Sequence, residues 1–158
     1  MADARFEDGD EGPLRLIAQS ADDLSVLSAL VQDAVFPATE MRLDRKARRF
    51  AILLNRFRWE DEAASKAAGR PYERVRSLLV IDDVLKVRTQ GVYPRDKDLV
   101  LSLLSISFTE TTEGAGTVML VLAGDGAVAV DVEVLDLRLD DVTKPYIAPS
   151  RQMPQHKD

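Results

Sequence analysis

The stretch from Arg48 to Glu60, Arg-Arg-Phe-Ala-Ile-Leu-Leu-Asn-Arg-Phe-Arg-Trp-Glu, constrains this chain more than any other. Side chains alternate along a pleated backbone, so a strand here puts Phe50, Ile52 and Leu54 on one side. Ala51, Leu53, Phe57 and Trp59 fall on the other. The first half is apolar on both faces and reads as a buried centre. From Asn55 onward Arg56 and Arg58 take over one face while Phe57 and Trp59 keep the other apolar. The strand is therefore expected to run from a buried centre to a half-exposed end.

Around this strand the other elements follow from period and punctuation. Leu14 to Ala18 is a short apolar run, fit for an edge strand. Ser20, followed by Asp22 and Asp23, gives a helix start whose acids suit the positive end of the helix dipole. Leu24, Leu27, Leu30, Val31 and Ala34 recur at helical spacing, which predicts a helix over Ala21 to Asp33 with its stripe on a sheet. Pro37 stops it. Thr39 to Leu43 reads as extended, and the polar turn from Asp44 to Ala47 makes a hairpin with the central strand.

Residues 60–69 read as a loop or one short surface helix. Tyr72 to Ile81 and Val84 to Thr89 are strands about an Asp82-Asp83 turn or bulge. In Leu99 to Phe108 the apolar positions switch parity after Leu103, which marks a bulge or a change of face. Glu110 to Gly116 reads as a turn-rich connection. Thr117 to Ala123 and Ala127 to Val134 form a hairpin through Gly124-Asp125-Gly126, and Leu135, Leu137 and Leu139 continue on the opposite parity. The sum is an α+β fold: one N-terminal helix packed on a curved, mostly antiparallel sheet or half-barrel of about seven to eight strands. Residues 1–12 are expected to be a disordered acidic tail, 13–144 a single globular domain, and 145–158 a flexible tail.

Composition narrows the function classes. The chain has 158 residues, 46% of them apolar, enough for one compact core. A net charge of −6 disfavours a general nucleic-acid binder. Cysteine is absent, which removes disulfides, thiolate nucleophiles and sulfur-based zinc sites and suits a reducing cytoplasm. The acidic start lacks the apolar segment of a signal peptide, and no apolar run approaches the roughly 18 residues of a membrane span. The expectation is a soluble, cytoplasmic protein.

Catalytic motifs were sought and are missing. His156 is the single histidine, so no histidine-based triad or HExxH helix can be assembled. Gly114-Ala115-Gly116 and Gly124-Asp125-Gly126 lack the lysine and following helix of a phosphate loop and read as hairpin glycines. Asp82-Asp83, Asp96 with Asp98, and Asp140-Asp141 could hold a hard cation or supply acid and base, but adjacent acids on a strand point to opposite faces. Turn and solubility roles fit them better. No catalytic residue, metal ligand or cofactor is assigned.

Positive charge is concentrated instead. Residues 40–76 carry eleven Lys and Arg against six Asp and Glu, while the segments on either side are acidic. Arg42, Arg49, Arg56, Arg58, Arg74 and Arg76 could line an anion-receptive surface with Phe57, Trp59 or Tyr72 to stack on a ligand. The candidate binding set is Asn55, Arg56, Arg58, Trp59, Arg74 and Arg76. Against it stands a structural reading, which is preferred: the arginines pair with Glu40, Asp44, Glu60, Glu73 or the acidic halves, and Trp59 is a packing anchor. The preferred function is a non-enzymatic binding or protein-interaction module. It would take an acidic protein or anionic small molecule, or pair as a homodimer through an exposed strand edge or the arginine and tryptophan surface. An enzyme using Arg and Asp on a phosphorylated metabolite is the alternative, with Asp82 or Asp83 indispensable, and RNA binding is a weaker one.

Three segments also carry a resemblance: Ser-Ala-Leu-Val-Gln-Asp-Ala at 28–34, Asn-Arg-Phe-Arg-Trp-Glu at 55–60, and the Gly-Asp-Gly hairpin. Over roughly residues 14–142 the chain resembles an uncharacterised family of small alphaproteobacterial proteins catalogued as a domain of unknown function. The resemblance implies no activity and carries over no catalytic residue.

Overall fold

The computed structural model describes residues 12–61, 66–67 and 73–147. The chain forms β1 (Arg15–Ala18), α1 (Ala21–Leu30), β2 (Val35–Pro37), β3 (Met41–Asp44), β4 (Arg49–Phe57) and β5 (Glu73–Ile81). It continues with β6 (Val84–Gln90), β7 (Val100–Thr112), β8 (Ala115–Leu122), β9 (Ala127–Val132), β10 (Leu137–Asp141) and β11 (Tyr146–Ile147). Short 3₁₀ turns lie at Ala38–Glu40 and Trp59–Asp61. His156, the acidic residues 1–11 and most of the expected C-terminal tail lie outside the described residues.

One helix packs against a large open sheet in the order β1-β10-β5-β4-β2-β7-β8-β9-β6, with β11 beside β5 and β3 beside β4. Every pairing is antiparallel. This is the expected α+β architecture, with eleven strands among the described residues in place of seven or eight. The surplus includes β2 and β11, three and two residues long, too short to show an alternating pattern in sequence. Tyr146 and Ile147 pair with Arg74 and Glu73, so chain from the expected tail adds to β5.

Strand β2 joins the two halves of the sheet. Val35 lies opposite Asn55 of β4 on one side and Ser102 of β7 on the other. The halves enclose one core, to which Ile52, Leu54 and Leu79 contribute from one side and Leu120, Val128 and Val130 from the other. Curvature comes where the sequence parity implies it, because the β7–β8 register shifts between Leu103 and Ser105.

Helix α1 caps this core as its sequence dictates. Asp23 N–H donates to the Ser20 hydroxyl at 3.2 Å, satisfying one free donor of the first turn. Leu24, Leu27 and Leu30 are buried, each stabilising by about 1.5–3 kcal/mol as an upper estimate. The helix is three residues shorter than expected, since Val31 caps it and Asp33 turns to φ 67°. The freed backbone pairs with β7 instead: Asp33 N–H donates to Leu103 O and Leu103 N–H to Ala34 O, both at 2.8 Å. Ile106 N–H of β7 donates in turn to the Ser28 hydroxyl at 2.9 Å.

At the β8–β9 hairpin Gly124 and Asp125 carry φ 81° and 67°, the signs a two-residue turn needs to match strand twist. The connection at 110–116 is not the expected loop, since β7 runs to Thr112 and β8 starts at Ala115. Gly116 makes that possible. A Cβ there would collide with the Thr109 carbonyl oxygen.

Candidate functional site

Along β4, Phe50, Ile52, Leu54 and Arg56 form one row, and all four are buried. The expected half-exposed end is therefore corrected, because the row that Arg56 occupies faces the interior to the end of the strand. A buried guanidinium must have every donor answered and its charge matched. Nη1 donates to Glu60 Oε1 at 2.8 Å and Nη2 to Glu60 Oε2 at 2.7 Å. Nη2 also reaches Asp141 Oδ1 at 2.9 Å, and Nε donates to Ser77 Oγ at 2.9 Å. The Ser77 hydroxyl donates to Asp141 Oδ1 at 2.6 Å, and Leu14 N–H donates to Asp141 Oδ2 at 2.9 Å. Burial works against the Arg56 charge, but Glu60 and Asp141 outweigh it and raise its pKa. The cluster ties together β4, β5, β10, the turn after β4 and the chain ahead of β1. Arg56 itself is fully buried within it.

The rest of the candidate set divides by strand parity. Arg58 is 7% exposed and bonds Glu73 Oε1 at 2.5 Å. Trp59 is half-buried; its Nε1–H donates to Gln32 O at 2.9 Å, and its ring meets Phe57 at 4.5 Å between centroids. It anchors the turn after β4 to the end of α1. On the opposite face, Asn55 and Arg76 are cross-strand partners. Asn55 Nδ2 donates to the Tyr146 hydroxyl at 2.6 Å, and Arg74 Nη1 to Asn55 O at 3.2 Å. Arg76 is exposed beside a cleft of about 250 Å³ that Glu40, Leu53, Asn55 and Val100 also line. The structure thus brings Asn55, Arg74 and Arg76 together with Tyr146, and separates them from Arg56, Arg58 and Trp59.

Other charges are matched in the way cross-strand pairing implies. Arg49 Nε reaches Asp82 Oδ1 at 2.7 Å, which raises the Arg49 pKa, and Arg138 Nη1 reaches Asp82 Oδ2 at 3.0 Å. Arg88 pairs with Asp131 at 2.7 Å. Arg48 pairs with Glu133. Among the described residues no carboxylate is within ion-pairing distance of Arg45, Lys46 or Lys86.

Two of these cations, Arg45 and Lys86, converge. The β3–β4 turn lies against the start of β6, where Val84 N–H donates to Arg48 O at 2.9 Å. Beyond that contact a cleft of about 400 Å³ opens, with Leu43, Val84 and Val87 in its walls and Arg45, Arg48 and Lys86 at its rim. Strand β6 pairs with β9 alone, so its other edge faces this cleft unpaired among the described strands. The register of β6 shifts between Val84 and Lys86, leaving Leu85 58% exposed. Sequence reading missed this site because Arg45 reads as a turn residue and Lys86 falls in the acidic segment 77–158. Only the approach of β6 to the turn unites them.

Residues 14–156 match the family described as a protein of unknown function, DUF2948. The chain belongs to this family. No curated protein and no solved structure matches it. Membership leaves the site to be read from its own geometry. Among the described residues no three His, Cys, Asp or Glu side chains stand together to hold a metal ion, and no helix is long and apolar enough to cross a membrane.

Proposed function

We propose that this chain is a non-enzymatic protein-interaction module that recognises an acidic partner through the cleft between the β3–β4 turn and β6. One observation carries the reading: Arg45 and Lys86, both exposed and with no carboxylate within ion-pairing distance among the described residues, stand together at the rim of one cleft. Positive charge gathered at the rim of a cleft steers and orients a partner of opposite charge. The recognition surface therefore shifts from the end of β4, where Arg56 and Arg58 are engaged, to a rim whose cations face solvent. A cysteine-free composition supports a reducing, cytoplasmic setting for such a module.

The alternative, an enzyme acting on a phosphorylated metabolite, has less support. Asp82, a carboxylate it would rely on, is clasped by Arg49 through one oxygen and Arg138 through the other. The test is native mass spectrometry of the gently purified protein at low and moderate salt, beside a variant carrying Arg45→Glu and Lys86→Glu. The expected result is an acidic protein partner retained at low salt by the parent and lost from the variant. Retention should be weakened in the single variant Arg45→Glu, which leaves Lys86 opposite Asp131 and should keep the parent's melting temperature. Equal retention by both proteins rules out the cleft.

A further inference from the structure

We infer that the acidic partner enters as a strand: a segment of about five to seven residues, alternating Asp or Glu with aliphatic side chains, adds to the free edge of β6. This rests on the interaction reading and names the chemistry of its ligand. An unpaired edge presents a row of N–H and C=O groups whose bonding need is met by another extended chain. Proteins blunt such edges with charge and bulges. Here Lys86 and the shift at Leu85 serve that end only in part, since Leu85 remains a large exposed aliphatic at the lip of the cleft.

The chain itself shows which sequence β6 accepts. Its neighbour β9 sets Val128, Val130 and Val132, all buried, on one face and Ala127, Ala129 and a single acid, Asp131, on the other. Asp131 lies opposite Lys86 in register and binds Arg88 at 2.7 Å. A segment of the same pattern on the open side would set aliphatic side chains against Leu43, Val84 and Val87. Its carboxylates would meet Arg45 and Lys86, the two rim cations with no carboxylate within ion-pairing distance among the described residues. Arg48 is held by Glu133 and the Val84 carbonyl oxygen, so it closes one end of the groove and leaves the other to the ligand. Side chains of a strand alternate between faces, which makes alternation, and not acidity alone, the property selected.

The experiment uses a pooled heptapeptide library in which Asp or Glu alternates with Val, Ile or Leu, and a second of the same composition with the acids clustered. The full-length chain is expected to enrich the alternating library. A selected peptide should lose at least about tenfold in affinity for the Arg45→Glu, Lys86→Glu variant, and as much when alternate backbone nitrogens are methylated to remove hydrogen-bond donors. Amide exchange along Val84–Gln90 should slow when the peptide binds. Equal enrichment of the clustered library, or full binding by the methylated peptide, overturns strand addition and leaves the interaction reading standing. No enrichment of either library overturns the proposal as well. A parent that is dimeric at micromolar concentration and becomes monomeric on Lys86→Glu overturns it in favour of a second copy at the edge. Failure of the interaction reading shows separately, as a charge-reversed protein that keeps its cellular partners.

Discussion

Arg56 and Asp141 lie 85 positions apart in the chain and meet as a buried pair, with Arg56 Nη2 at 2.9 Å from Oδ1 and 3.1 Å from Oδ2 of the carboxylate. Their side chains are 0% and 5% exposed. Removing one partner from such a pair leaves an uncompensated buried charge. Arg56→Ala is expected to lower unfolding free energy in urea by about 3–5 kcal/mol. A loss below about 1 kcal/mol would falsify the view that this cluster fastens β4 to β10. Arg45→Ala and Lys86→Ala, both at the exposed rim, should stay within about 0.5 kcal/mol of the parent.

The first turn of α1 has its own test. Ser20→Ala removes the acceptor of the Asp23 N–H, and about 1 kcal/mol of stability should go with it. Ser20→Asp keeps an acceptor oxygen and is expected to restore most of the loss, which a denaturation midpoint would show. Equal destabilisation by both substitutions would deny that the cap carries the effect.

Gly116 is required by contact, not by torsion. Gly116→Ala drives a Cβ into the Thr109 carbonyl oxygen and against the Phe108 ring in the β7–β8 ladder, at an expected cost of about 1–3 kcal/mol. Gly114 has open space around it but φ 80°, so Gly114→Ala meets backbone strain without a collision. Thermal melts of both variants should show the larger loss at Gly116 only if packing of the ladder is the limiting factor.

Acid sensitivity centres on Asp131. Burial alone would raise its pKa, but the Thr117 hydroxyl, Arg88 and Lys86 outweigh that and hold it below the ordinary carboxylate value. A carboxyl depressed in the folded state contributes stability that is present above its unfolded pKa of about 3.9 and is lost as pH falls through the lower folded value. Thr117→Val deletes a hydrogen bond of 2.7 Å to Asp131 Oδ1 and is expected to raise its folded pKa. The acid-unfolding midpoint should then move to higher pH. Carbon-detected titration of Asp131 in both proteins measures this directly; an unmoved pKa would remove Thr117 from the account.

Much of the fold is legible in the residues themselves. The stripe of Leu24, Leu27 and Leu30 behind Ser20 marks α1, the Gly124-Asp125 pair marks the β8–β9 turn, and the parity switch at Leu103 marks the bulge of β7. Each is a local pattern of period, cap or turn chemistry acting within a few residues. The candidate site was legible only in part. Asn55, Arg74 and Arg76 share a face because strand parity can be counted and β4 pairs with β5.

What sequence by itself determined, then, is the class of structure: a helix, a set of alternating strands, and an excess of positive charge in residues 40–76. Tertiary structure decided which of those charges are spent. Arg56 has the same chemistry as Arg45 and stands beside an equally polar Asn55, yet it is sealed against Glu60 and Asp141 while Arg45 remains at a cleft. Glu60 lies four residues from Arg56, but nothing local brings in Asp141, 85 positions away, to complete its burial. The difference follows from partners brought in from β10 and β6, and charge–charge energy depends on distance and burial in the folded chain rather than on position along it.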